Sequence, residues 1–102
     1  MVKFESKDGK LFINGKEVLR GWESYTGWYW FGIEVSEERK IGSETGGSII
    51  NGQEVDDVIW YGFVQGTEPE FGYFSEAELK SMGGKVWEIP AENLHYSGRK
   101  EE

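Results

Sequence analysis

A chain of 102 residues without cysteine has room for one domain and excludes disulfides, thiolate chemistry and cysteine-based zinc sites. Its net charge of −8 argues against direct nucleic-acid binding, which needs clustered Lys and Arg, and no apolar run reaches the ~18 residues of a membrane span. Met1 to Glu5 lacks the apolar stretch of a secretory signal, so the expected location is the cytoplasm.

Asn14-Gly15 stands between Lys10–Ile13 and Lys16–Leu19, the strongest short-range hairpin signal, because both turn residues tolerate the positive φ of a type I′ turn. A near-copy follows at Ile49–Val55 around Asn51-Gly52, read either as a duplicated β unit or as the same turn chemistry used twice. Between them, Trp28–Val35 reads as a long strand. Alternation places Tyr29, Phe31, Ile33 and Val35 on one face and Trp28, Trp30, Gly32 and Glu34 on the other. Residues Ser36 to Gly47 read as an exposed loop. Val58–Val64 is apolar on both faces, as in a central strand, and Gly32 and Gly62 predict bulges or sharp bends.

Phe71–Phe74 predicts a short strand running into a helix over 75–82. Ser75 and Glu78 form its capping box, Leu79 and Met82 share a face, and Gly83-Gly84 ends it. Val86–Ile89 reads as a last strand stopped by Pro90. Residues 1–96 then form one compact domain, with 97–102 a polar tail. Strands without long interleaved helices give an α+β class, predominantly antiparallel β, as a strongly bent sheet or a small barrel or sandwich with one short helix.

The motifs of the second half, Tyr61-Gly62-Phe63, then Pro69 to Ser75, Glu78-Leu79 and Glu92 to Tyr96, resemble a small bacterial family catalogued only as a domain of unknown function. Many of its members are carried on mobile elements. The resemblance covers residues 58–96 and departs at Glu76, where the family has Leu, and at Ala91-Glu92-Asn93, where it has a charged approach. It implies a folded domain and carries over neither activity nor site.

The charge excess is local. From Ile41 to Leu79 there is no Lys or Arg, yet the stretch holds eight carboxylates (Glu44, Glu54, Asp56, Asp57, Glu68, Glu70, Glu76 and Glu78), as many as the whole imbalance. As a glycosidase pair, Asp56-Asp57 is poorly placed, because adjacent strand residues point to opposite faces; Glu68 and Glu70 flank a proline. Solvated acidic turns are the plainer reading. No EF-hand spacing or His pattern indicates a metal, and Gly42 to Ser48 lacks the lysine of a phosphate loop. His95, the chain's one histidine, reads as structural or surface rather than catalytic. No cofactor is expected, and no catalytic residue is assigned.

Two readings of function remain. The first is a non-enzymatic protein-interaction module, in which the acidic segment, through Glu54, Asp56, Asp57, Glu68 and Glu70, steers a basic protein partner while Trp22, Tyr25, Trp28 and Trp30 supply apolar contact. The alternative is a small-ligand or carbohydrate-binding domain with an aromatic platform, which requires a pocket lined by Trp28, Trp30 or Trp60. A homodimer is compatible with either.

Overall fold

A computed structural model describes residues 2–94. His95 and the tail at 97–102 lie outside the described residues. Strands β1 (Phe4–Lys7), β2 (Lys10–Ile13) and β3 (Lys16–Glu17) form an antiparallel sheet in that order. The β2–β3 turn is as predicted, with Asn14 and Gly15 at φ 51° and 83°, and Asp8-Gly9 turns β1 into β2 in the same manner, a signal the sequence reading passed over.

The main sheet has five antiparallel strands. β4 (Arg20–Ser24), β5 (Tyr29–Arg39), β8 (Asp57–Gln65) and β9 (Pro69–Ser75) lie side by side in that order, and β10 (Val86–Glu88) flanks β4. Among the described residues neither edge strand has a further partner, so the sheet does not close into a barrel. A separate hairpin, β6 (Ser48–Ile50) and β7 (Gln53–Val55), stands at the end of β8 where β5 finishes.

Each face of the main sheet buries its own cluster. On one face the small sheet covers Phe31 and Phe63 with Leu11, Ile13 and Val18, closed by Leu94. On the other, Trp22 and Trp60 pack with Leu79 and Val86, flanked by Trp30, Val58 and Phe74. Burying one such side chain contributes on the order of 1.5–3 kcal/mol, so β8, central and apolar on both faces, anchors both halves of the core. The helix on this second face, α1 (Glu76–Lys80), is shorter than the predicted span. Ser75 caps it by accepting from Glu78 N at 3.0 Å, Leu79 points inward, and Met82 lies beyond the last turn and is exposed.

Two expectations about β5 are corrected. The strand continues to Arg39 instead of ending at Val35, because Glu37, Glu38 and Arg39 pair with Ile59, Val58 and Asp57; the connecting loop is therefore 40–47. Register shifts between Gly32 and Glu34 and between Val35 and Glu37 also break the alternation. The first moves Glu34 beside Tyr61 and Val35 beside Trp60, so Val35 does not share the face of Tyr29 and Phe31. Gly62 serves close approach: a Cβ there would overlap the Phe31 carbonyl. The two Asn-Gly hairpins also differ in role. One carries Ile13 and Val18 into the core, whereas the other contributes no residue to either cluster and exposes Ile49.

Candidate functional site

The tryptophan-rich segment separates into buried and exposed residues. Trp22 is 2% exposed, set edge-on against Trp60 and Phe74 at 5.9 and 5.7 Å between centroids, so it is a core residue and not a contact surface. Trp30 is half-buried against the same cluster. Trp28 lies 5.9 Å from Trp30, and its ring fills the space a Cβ on Gly66 would take. Tyr25 is exposed in the β4–β5 turn. Exposed aromatic surface here thus reduces to Tyr25 and part of Trp28.

The acidic segment divides in the same way. Asp57 is 5% exposed and is consumed internally. Its Oδ2 accepts from Ser75 Oγ at 2.5 Å and Ser48 Oγ at 2.6 Å, and its Oδ1 from Val58 N at 2.6 Å and Ala77 N at 2.8 Å. Burial pushes this carboxyl up, but the two hydroxyls and two backbone amides outweigh it and hold the group below its ordinary value. Asp57 therefore clamps the hairpin, the end of β9 and the start of α1 to β8, and offers nothing to a partner.

Glu76, also buried, accepts from Trp60 Nε1 at 2.9 Å and Arg20 at 3.1 Å and pairs with Lys80 at 3.2 Å. Arg20 closes the network with two 2.7 Å bonds to Glu88, its guanidinium 5.0 Å from the Trp22 ring. The Arg20 hydrogen bonds hold the Glu88 carboxyl below its usual range. Two exposed acids are tied to loop backbone: Glu54 accepts from Gly47 N at 2.7 Å and Asp56 from Ile41 N at 2.9 Å.

Of the acids expected to meet a partner, Glu68 and Glu70 remain. They sit at the far end of β8 from Asp56, about 26 Å along a strand at ~3.3 Å per residue, so the eight carboxylates do not share one patch. Both are exposed, and among the described residues neither side chain has a hydrogen-bond or ion-pair partner; the same holds for Glu34 and Glu78.

An aromatic strip absent from the sequence reading runs across β8 and β9. Phe63, in the core, meets Phe71 edge-on at 5.1 Å; Phe71 stacks on Tyr61 at 6.3 Å; Tyr61 meets Tyr73 at 5.1 Å. The strip runs outward along one face, leaving Phe71 37% and Tyr73 68% exposed, with Glu34 beside Tyr61. Pro69 was the available signal, since proline in a sheet favours an edge strand.

A cleft of about 480 Å³ opens between the β6–β7 hairpin and α1, with Ile50, Val55 and Val58 in its lining and Lys40 and Lys80 among its charged groups. None of Trp28, Trp30 and Trp60 lines it. Among the described residues, no group of three or more His, Cys, Asp or Glu is placed to hold a metal ion, and no helix is long and apolar enough to cross a membrane. No protein family, curated protein or solved structure matches this chain.

Proposed function

We propose that the protein is a non-enzymatic interaction module of the cytoplasm that holds a basic protein partner on the surface around β9. One observation carries this reading: the exposed rings Phe71 and Tyr73 stand on one face of the β9 edge strand with the exposed, partnerless Glu34 beside Tyr61, while partnerless Glu70 lies on the strand's other face and Glu68 just before it. Exposed apolar surface rimmed by charge is the composition of a recognition site. Carboxylates of one sign without internal partners steer an oppositely charged protein toward it. The surface centres on β8 and β9 and not on the tryptophan segment.

The aromatic-platform alternative requires a concave site lined by Trp28, Trp30 or Trp60, and the cleft between the hairpin and α1 contains none of them. The test is a titration of the purified partner, first recovered at low salt, across a salt series with the wild type and a Glu68→Lys/Glu70→Lys double variant. Affinity falls steeply with salt for the wild type, and the charge reversal weakens binding at low salt. Binding that ignores both salt and charge reversal refutes the proposal.

A further inference from the structure

We infer that β9 takes up an extended basic segment of the partner as a sixth strand of the main sheet. This rests on the interaction-module reading and adds the mode of binding. Natural sheets blunt their edges by shortness, charged side chains (lysine above all), prolines, bulges or a covering element. The β10 edge is three residues long. The β9 edge has seven residues, no Lys or Arg, proline only at its first position, and an unbroken register with β8 from Ile59–Ser75 to Gln65–Pro69.

The backbone phase identifies the groups that face outward. Gly32 O accepts from Leu19 N at 2.8 Å, so Gly32 turns its peptide groups toward β4. In antiparallel pairs, opposed residues either face each other or both face away. Gly62, opposite Gly32, therefore bonds toward β9, and Gly72, opposite Gly62, bonds back toward β8. Phe71 and Tyr73 are left to direct N–H and C=O away from the sheet. Pro69, which has no N–H to offer, falls in the same outward phase, where its lack costs β8 nothing.

The side chains set the chemistry of the guest. On one face an incoming strand runs beside Phe71 and Tyr73, on which Arg stacks well. On the other it runs beside Glu70 and Gly72, where nothing lies within 4 Å of a would-be Cβ and a long side chain has room. A second copy is the poorer occupant. Pairing β9 with itself sets two acidic edges against each other, with no base between residues 41 and 79 of either chain to neutralise them.

The probe is a capped peptide as long as β9, alternating Arg and Val, followed by the exchange protection of the Phe71 and Tyr73 amides. At low salt those two amides become protected on binding. N-methylating the alternate peptide residues that face β9 weakens binding at least about tenfold, the equivalent of one lost backbone hydrogen bond, while methylating the intervening residues does not. In the protein, Tyr73→Pro, which removes ring and N–H, weakens binding about tenfold beyond Tyr73→Ala, which removes the ring alone. Salt-dependent binding that is indifferent to the methylation pattern overturns strand addition and leaves the interaction module standing. No binding by any of the peptides overturns both. Protection in the free protein that grows with its concentration overturns the foreign strand in favour of a second copy.

Discussion

Replacing Asp57 with Ala tests the claim that this acid is a clamp and not a binding group. The substitution strands two backbone donors, Val58 N and Ala77 N, while the Ser48 and Ser75 hydroxyls are free to rotate toward other acceptors. At about 1–2 kcal/mol for each stranded amide, the expected loss is ~2–4 kcal/mol, a large part of the stability of a small domain. Asp57→Asn keeps one carbonyl for the amides but loses the charge, so about 1–2 kcal/mol is expected. Urea unfolding followed by the fluorescence of the buried Trp22 and Trp60 measures both, with the midpoint lowered and the m-value unchanged. The folded-state pKa of Asp57 is depressed, so its contribution is fully present above the unfolded value of about 4 and is lost as pH falls through the folded value. The gap between wild type and Asp57→Asn therefore closes in acid. An Asp57→Ala protein within ~0.5 kcal/mol of wild type, or a gap to Asp57→Asn that persists undiminished in strong acid, refutes the reasoning.

Two further contrasts follow from the sheet and its polar network. Gly62→Ala drives a Cβ into the Phe31 carbonyl and is expected to cost at least about 2 kcal/mol, whereas Gly72→Ala, on the open edge, stays within ~0.5 kcal/mol; thermal melts of the pair decide it. Glu76→Gln weakens bonds from Trp60 and Arg20 to a buried acceptor and is expected to cost about 1–2 kcal/mol, while Lys80→Ala, which removes an exposed partner of the same carboxylate, changes stability by less than ~0.5 kcal/mol in urea unfolding.

What was legible in the sequence was what short range determines. The Asn14-Gly15 and Asn51-Gly52 turns follow from the φ their residues tolerate, the Ser75 cap from its spacing to Glu78, and the central place of β8 from its unbroken apolar run. What escaped depends on partners distant in the chain. Asp57 looked like a solvated acid because its donors come from residues 48, 75 and 77 as well as its neighbour. Trp22 and Trp28 are the same residue type six positions apart, and only the packing of Trp60 and Phe74 over one of them separates core from surface. Phe71 and Tyr73 became a candidate site only when the strand order left β9 at the edge.

The β6–β7 hairpin adds no residue to either core cluster and is tied down by polar bonds, chief among them Ser48 to Asp57. Its tip is consequently the position where this chain is most easily rewritten. A graft between Asn51 and Gly52, whether an epitope, a tag or a longer natural insertion, leaves the hydrophobic core untouched as long as Ser48 keeps its hydroxyl. Related chains would then be expected to vary in length and character there while holding a serine or threonine at its base. The domain thus carries a stretch of sequence open to new content at little cost to the fold.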